Sequence, residues 1–142
     1  MELINEELIQ FGLAAKNEKE VIETIAGTME KQGRLESTDD YVQDVLKREE
    51  TSPTSIGFLI ATPHAKSVHV KEATLAFART KEIIEWAGEE VQLVFQIAVP
   101  DPGQGDKHLE ILAKISRKIM DEEFREKLMK TNRKEDVLNM IM

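Results

Sequence analysis

The sequence predicts an α/β fold, in which a single layered domain spanning residues 1–142 has a central mixed β-sheet flanked by helices. Two observations predict this class. Apolar residues recur at helical spacing in both outer parts of the chain, whereas the centre contains short apolar runs and one strict alternation, which are typical of strands. The length of 142 residues supports one hydrophobic core, and 41% hydrophobic with 32% charged residues is a globular composition.

Two amphipathic helices are predicted in the first part of the chain. Asn17 with Glu20 is a capping pair, and a second capping signal begins at Ser37. The second helix should end near Glu50, because Pro53 disfavours helical backbone at the residue before it. The apolar stripes of the two helices are Val21, Ile22, Ile25, Ala26 and Met29, and Tyr41, Val42, Val45 and Leu46.

The centre of the chain predicts strands. Residues 58–62 and 74–78 are short apolar runs with the length of buried strands. Residues 83–86 and 91–99 flank a predicted hairpin turn at 87–90, so these two segments should be antiparallel neighbours.

The segment 91–99 shows the clearest strand pattern. Its apolar residues alternate with polar positions that include Gln92 and Gln96. The alternation predicts a strand with one apolar face and one polar face.

The last part of the chain predicts a loop at 100–105 followed by helices. Asp121 can cap one helix, and Asn132 with Glu135 can cap a final one. The apolar stripes of these helices are Leu109, Leu112, Ala113, Ile115, Ile119 and Met120, then Phe124 and Leu128, then Val137, Leu138 and Ile141.

The composition excludes several function classes. Nineteen basic and 27 acidic side chains give a net charge of −8, so the chain lacks the positive charge of proteins that bind nucleic acids or anionic membranes. The absence of cysteine excludes disulfides, thiolate nucleophiles and cysteine-based metal sites. The acidic first residues do not resemble a signal peptide, and the longest apolar run, 93–99, is too short for a membrane span. We therefore expect a cytoplasmic protein.

His64 is one of two histidines with a plausible chemical role. It follows Pro63, which stiffens the backbone, and it stands at the carboxyl end of a predicted strand, where open α/β sheets build their sites. From these residues alone, a functional histidine and a structural histidine remain equally open.

His108 is the second candidate, in the first turn of the helix that follows the loop. At helical spacing it lies in line with Leu112, Ile115 and Ile119 on the inward face. A helix start disfavours imidazolium, so His108 should be neutral and able to donate a hydrogen bond to an anion. A partly buried structural histidine is the alternative interpretation.

The remaining motifs carry no predicted chemistry. His69 and His64 are too far apart in angle on either a strand or a helix to chelate a metal, so we interpret His69 as a surface or loop residue. The Gly-Gln-Gly run at 103–105 is too short for a dinucleotide site, and no Walker motif is present. The acidic pairs at 89–90 and 122–123 are predicted to be solvated.

A family resemblance is carried by Glu49, Ile56, Gly57 and the run Ile-Ala-Thr-Pro-His-Ala at 60–65. These residues closely resemble the signature of the fructose/mannitol-type (type 2) enzyme IIA domains of bacterial phosphoenolpyruvate-dependent sugar phosphotransferase systems. The similarity covers nearly the whole chain and includes Arg48 and residues 66–67, 71–79 and 107–128.

The resemblance implies a phosphotransferase that carries a phosphoryl group and needs no cofactor or metal. Phospho-HPr would donate phosphate to His64, forming a tele-phosphohistidine, and a cysteine of an enzyme IIB would accept it. The second active-site histidine of the family falls on His108, and its active-site arginine falls on Arg48. Because this chain has no cysteine, enzyme IIB must lie on a separate polypeptide. A neutral imidazole is a competent nucleophile, and a neutral donor with a guanidinium can hold the charged adduct.

The chain departs from the family pattern at Pro53, at 57–59 and at Thr62. These departures leave the proposed acceptor and donors in place but alter the rim that partners contact. Because two acidic faces repel, we expect an apolar partner surface around His64, with Ile56, Phe58 and Leu59 as its candidate residues.

Three functions compete on this evidence. The first is a component of sugar uptake, of fructose class. The second is a regulatory protein similar to nitrogen-type enzyme IIA, whose phosphorylation state controls binding partners without sugar transport. The third, an adaptor that has lost phosphorylation, is disfavoured because Arg48, His64 and His108 are all retained.

Overall fold

The computed structural model describes residues 2–103 and 105–142, and for residues 105, 107 and 108 it describes the backbone only. A short 3-10 helix, Glu6–Leu8, precedes the first strand. The strands and helices then follow in the order β1 (Ile9–Leu13), α1 (Glu18–Lys31), α2 (Thr38–Thr51), β2 (Ser55–Gly57), β3 (Ile60–Ala61), β4 (His64–Ser67), β5 (Thr74–Trp86), β6 (Glu89–Pro100), α3 (Gly105–Ile119), α4 (Glu122–Lys130) and α5 (Lys134–Ile141).

The strands form one mixed sheet, which confirms the predicted class. β5 and β6 are the central antiparallel hairpin, and β1 pairs in parallel with β5. Along the other edge of β6, first β3 and then β4 pair in parallel with it, and β2 pairs antiparallel with β3. β6 therefore aligns β3, which precedes the candidate histidine, and β4, which begins with it.

Helices cover both faces of the sheet. The ring of Phe95 in β6 stacks on Phe124 of α4, with 6.4 Å between ring centroids. The next residue, Gln96, points to the opposite face, where its amide donates to the Ile22 carbonyl of α1 over 3.3 Å. The prediction of a polar face on this strand is therefore wrong at Gln96, which is fully buried. Central strands covered by helices on both faces are buried on both faces.

The two N-terminal helices confirm the capping predictions. The Asn17 side chain accepts from the Glu20 amide over 2.9 Å, and the Ser37 hydroxyl accepts from the Asp40 amide over 3.4 Å. All predicted stripe residues of α1 are buried, as are those of α2 except the half-buried Leu46. α2 ends at Thr51, close to the predicted end.

The central strands differ from prediction in their bounds. Phe58 and Leu59 are not in a strand but in the turn between β2 and β3, with φ of 58° and 65°. The predicted segments 74–78 and 83–86 belong to one strand, β5, which continues through a register shift. The hairpin to β6 is confirmed, and its turn is limited to Ala87 and Gly88.

The short strands β1, β2 and β4 were not predicted. Strands of five, three and four residues are too short to show a period, and β1 and β4 pair with strands far along the chain. In α3, Ile111 is buried, whereas two residues of the predicted stripe are exposed: Leu109 in this helix is 65% exposed and Met120, directly after it, is 71% exposed.

In the last two helices the structure confirms the predicted apolar stripes but only one of the two predicted caps. Asp121 accepts from the Glu123 amide over 3.0 Å, as a helix cap does. The cap of α5 is Arg133, which makes no side-chain capping bond, and the side-chain Oδ1 of Asn132 accepts from the Arg79 guanidinium instead, over 2.8 Å. Among the residues that the structure describes, no helix has both the length and the apolarity of a membrane span.

Candidate functional site

His64 is the first residue of β4 and borders an open pocket of about 620 Å³. Pairing with β6 places it opposite Ile97, and only 6% of its surface is exposed. Thr62 and Pro63 lie between β3 and β4, so the predicted position behind a strand is confirmed, although β3 is only two residues long.

The His64 ring is held in one tautomer. Its Nδ1 lies 2.7 Å from the carbonyl oxygen of Thr62. A carbonyl oxygen can only accept, so Nδ1 carries the proton and donates it, and the lone pair of the neutral ring is on Nε2. Nε2 is the tele nitrogen, which is the atom that the family resemblance implies as the phosphoryl acceptor.

The surroundings of His64 keep the ring neutral. Burial lowers its pKa below the ordinary value of 6.5, and the Thr62 carbonyl opposes this by raising the pKa. The nearby charge of Arg48 lowers the pKa further, while the charge of Glu49 raises it. Because the net direction is downward, the imidazole is neutral at pH 7.

Arg48 lines the same pocket as His64, so the structure brings these two predicted site residues together. It is in the last turn of α2, and its guanidinium donates to the Ser52 carbonyl over 2.9 Å. The third predicted residue, His108, is in the first turn of α3, but its side chain lies outside the described residues.

The pocket at His64 has a mixed lining, so the expected apolar surface with few carboxylates is present only in part. The apolar Ala65 and the exposed Val68 line it. Charged side chains line it as well, namely the cations of Lys47, Arg48 and Lys66 and the carboxylates of Asp44 and Asp101. The Lys66 ammonium lies 3.7 Å from the Asp101 carboxylate.

The candidate apolar residues lie elsewhere. Phe58 is 51% exposed and stacks under the guanidinium of Arg125, 4.0 Å from its ring centroid. With the half-buried Leu59 it lines a shallow pocket against α4 that shares no lining residue with the pocket at His64. Ile56 is 45% exposed on the neighbouring strand β2 and lines neither pocket.

His69 lies in the turn after β4, as predicted, but it also lines the pocket with His64. Its Nδ1 is 3.9 Å from the Asp40 carboxylate. Its backbone amide donates to the Ser67 hydroxyl over 3.1 Å, and that hydroxyl donates to Asp44 over 2.6 Å. The sequence spacing excluded a chelate but gave no signal that the turn would bring His69 back to the same pocket.

Glu49 is a buried carboxylate beside the site, only 7% exposed, whose burial the helical pattern did not predict. Its Oε2 accepts from the Thr54 amide over 3.1 Å and from the Trp86 indole over 3.2 Å. Its Oε1 bonds to the Thr54 hydroxyl. In the described part of the chain, no cluster of three or more metal-ligating side chains is placed to hold a metal ion.

Comparison with known proteins identifies the family. The family model described as "Phosphoenolpyruvate-dependent sugar phosphotransferase system, EIIA 2" matches residues 2–142. The fructose-specific EIIA component of Haloferax volcanii is 38% identical over 77% of this chain and 72% of its own length. The fructose-specific EIIABC component of Bacillus subtilis is 32% identical over 99% of this chain, which spans only 22% of that relative.

Solved structures share the whole fold. The nitrogen regulatory protein IIA-Ntr from Neisseria meningitidis superposes with a TM-score of 0.89 at 29% identity, covering 99% of this chain and 97% of that one. Mannitol enzyme IIA of Escherichia coli, in its complex with phosphorylated enzyme IIB, gives a TM-score of 0.81 at 27% identity, covering 97% and 96%. The chain belongs to the type 2 enzyme IIA family of the phosphoenolpyruvate-dependent sugar phosphotransferase system and is a phosphotransferase component that carries a phosphoryl group.

Proposed function

We propose that this protein accepts a phosphoryl group from phospho-HPr on Nε2 of His64 and passes it to a cysteine of an enzyme IIB in sugar uptake of fructose class. The observation that carries the proposal is the His64 tautomer, with Nδ1 donating to Thr62 over 2.7 Å at the edge of a pocket that Arg48 also lines. The fructose-specific names of two relatives support the sugar class. The solved complex of the mannitol enzyme IIA with its enzyme IIB supports the partner.

The transfer needs no proton movement at His64. The Nε2 lone pair attacks phosphorus while the bond from phosphorus to its carrier atom in HPr breaks, and the bonding electrons leave with HPr. Nδ1 keeps its proton throughout and continues to donate to the Thr62 carbonyl. In the second step a thiolate of enzyme IIB attacks phosphorus, and the bonding electrons return to Nε2 as the lone pair.

Arg48 and the pocket lysines supply the positive charge that the transferred group requires. The planar guanidinium of Arg48 can engage two phosphoryl oxygens at once, whereas Lys47 and Lys66 act as point charges at the rim. The chain as a whole carries a net charge of −8, whereas cations outnumber carboxylates in the lining of this pocket.

We propose His108 as an auxiliary donor, on the basis of its place in the first turn of α3 and of the family resemblance. A helix start keeps an imidazole neutral and favours a nearby anion. His108→Ala should slow phosphoryl transfer by about 10- to 10³-fold, which is the range for losing one oriented donor. An unchanged transfer rate in folded protein would remove His108 from the site.

Incubation with phosphoenolpyruvate, enzyme I and HPr tests the acceptor. Wild-type protein should form an adduct that is labile in acid and stable in alkali, as a phosphorus–nitrogen bond is. His69→Ala should still form this adduct and His64→Ala should not. Uptake of phosphate by His64→Ala would show that the acceptor assignment is wrong.

A panel of enzyme IIB proteins tests the destination of the phosphoryl group. Protein phosphorylated in advance should transfer to at least one member, with fructose-type enzyme IIB first. The similarity to the nitrogen regulatory IIA-Ntr structure supports the alternative, a regulatory protein read by binding partners. Normal uptake from HPr without transfer to any enzyme IIB would favour that alternative.

A further inference from the structure

Glu49 belongs to the family signature, yet the proposed transfer gives its side chain no role. Its carboxylate has both oxygens occupied: the Thr54 amide and the Trp86 indole donate to Oε2 over 3.1 Å and 3.2 Å, and the Thr54 hydroxyl bonds to Oε1. The side chain is 7% exposed, so removing the carboxylate would leave two buried N–H groups without an acceptor. Thr54 is therefore held at both its backbone and its side chain.

A continuous series of hydrogen bonds leads from this carboxylate to the candidate acceptor. The carbonyl of Thr54 accepts from the Thr62 amide over 3.1 Å. The carbonyl of Thr62 in turn accepts from Nδ1 of His64 over 2.7 Å. β6 fixes the residues on either side of Thr62, because Ala61 pairs with Val94 and the Pro63 carbonyl accepts from the Ile97 amide over 3.0 Å. The bond to Thr54 is the contact that fixes the Thr62 backbone amide itself.

We propose that Glu49 is a positioning residue for His64. It fixes Thr54, which fixes the Thr62 backbone, and the Thr62 carbonyl selects the ring tautomer with the proton on Nδ1. The inference rests on the proposed function, because the tautomer matters only if Nε2 is the acceptor. In a free neutral histidine side chain the tautomer with its proton on Nε2 is the more populated one, so the protein must supply the preference for the other.

A direct electrostatic role for Glu49 is the competing explanation, since its charge also raises the His64 pKa. The variant Glu49→Gln distinguishes the electrostatic role from the positioning role. An amide can keep all three bonds, because its oxygen accepts from the two N–H donors and its NH₂ group donates to the Thr54 hydroxyl, which can also accept. This variant removes the charge and retains the geometry, whereas Glu49→Ala removes both.

The test measures the His64 tautomer directly, from the ring ¹⁵N chemical shifts of protein labelled at histidine. Spectra are recorded at about pH 8.5, roughly two units above the ordinary histidine pKa, so that the ring is neutral in every variant. Comparison with His64→Gln identifies the His64 signals among those of the three histidines. Phosphoryl uptake from phospho-HPr is measured on the same samples.

Wild type and Glu49→Gln should both show the lone pair on Nε2. In Glu49→Ala the ¹⁵N shifts should move toward those of a free neutral histidine side chain, and uptake should fall by about 10- to 100-fold, the scale for a small misplacement of a reacting group. Glu50→Ala is the matched control, because Glu50 is the adjacent exposed carboxylate, and both of its readouts should equal those of wild type.

Thr54 provides a second route if Glu49→Ala does not fold. Thr54→Val removes only the hydroxyl bond to Glu49 and should shift the tautomer in the same direction by a smaller amount, while Thr54→Ser should restore it. A wild-type tautomer in folded Glu49→Ala, or in Thr54→Val, would overturn the inference, as would a changed tautomer in Glu49→Gln equal to that in Glu49→Ala. If wild-type protein takes up no phosphate, the proposed function fails, while the tautomer comparison still decides the role of Glu49.

Discussion

The central hairpin and the segment at residues 52–67 are built in opposite ways. In the hairpin, β5 and β6 have 13 and 12 residues and pair over most of their length. In the segment 52–67, β2, β3 and β4 have three, two and four residues, separated by a turn and by the Thr62–Pro63 link. The first is one long ladder, whereas the second consists of short ladders on β6 that are joined by individual hydrogen bonds to side chains and backbone.

The candidate acceptor lies in the segment 52–67, where the chain leaves one short strand and begins the next. Backbone carbonyls of the hairpin also accept from side chains, as that of Ile97 in β6 does from the Tyr41 hydroxyl over 3.0 Å. Thr62 differs because it lies between two strands, where its carbonyl accepts from the ring of its near neighbour His64. The rigid hairpin supplies the alignment, because β6 pairs with both β3 and β4. The irregular segment supplies backbone groups that remain available for chemistry.

The largest expected effect is a loss of stability when a core residue of the hairpin is truncated. Phe95 is fully buried and contacts Phe77 at 5.1 Å and Phe124 at 6.4 Å between ring centroids. Phe95→Ala should lower the free energy of unfolding by about 3–5 kcal/mol, measured by urea denaturation. Phe58→Ala, an aromatic truncation in the segment 52–67, should change it by less than about 1 kcal/mol, because Phe58 is half exposed and loses mainly its contact with Arg125. Equal losses in both variants would contradict the division between a core hairpin and a functional segment.

Substitution of Arg48 should have the opposite effect. The rate of phosphoryl transfer should fall, whereas the free energy of unfolding should change little. Lysine keeps the charge but loses the planar fork, so phosphoryl uptake should decrease in the order wild type, Arg48→Lys, Arg48→Ala. The loss in the alanine variant should be about 10- to 10³-fold, which is the range for one donor to a developing charge. Rates of uptake from phospho-HPr measure the effect, and circular dichroism checks that each variant is folded. Three equal rates would exclude Arg48 from the site.

The lowered pKa of His64 predicts a pH dependence of uptake that is confined to acidic pH. The neutral ring is the nucleophile, so uptake should be constant above about pH 6.5 and should fall only as the pH passes through the lowered pKa. An NMR titration of the His64 ring protons locates that pKa. A value above the ordinary one would contradict the burial argument.

The same pKa predicts a smaller effect on stability. The unfolded chain binds the His64 proton at higher pH than the folded chain does, so the free energy of unfolding should decrease as pH falls from about 6.5 through the folded pKa. His64→Gln should reduce that slope, which urea denaturation at a series of pH values would detect. An unchanged slope would show that His64 contributes nothing to the acid sensitivity of the fold.

The smallest effect is expected at the rim of the pocket. Lys66 and Asp101 are 3.7 Å apart, and their side chains are 44% and 46% exposed. Such a pair stabilises the fold by less than about 1 kcal/mol. A double-mutant cycle with Lys66→Ala and Asp101→Ala measures the coupling by urea denaturation. A coupling well above that value would mean that the rim of the pocket contributes to stability as the core does.

Much of the fold could be predicted because its signals are local. Asn17 and Asp121 cap their helices as expected, since a capping side chain bonds to an amide two or three residues away. The hairpin of β5 and β6 followed from alternation and a turn. In the segment 52–67 the same method was wrong at Phe58 and Leu59, because a run of apolar residues does not reveal a turn with positive φ.

For the site, the sequence by itself determined His64 as a candidate, through the proline before it, and His108, through its place at a helix start, and the family resemblance added Arg48. Only the tertiary structure decided which nitrogen of His64 carries the proton, and that Glu49 is buried among hydrogen-bond donors. The bond from His64 to Thr62 joins near neighbours, but it depends on the irregular backbone between β3 and β4, which has no period to reveal it. The burial of Glu49 depends on contacts between residues distant in the chain, such as Trp86 with Glu49, and periodicity and capping report only on neighbours within a turn or a strand.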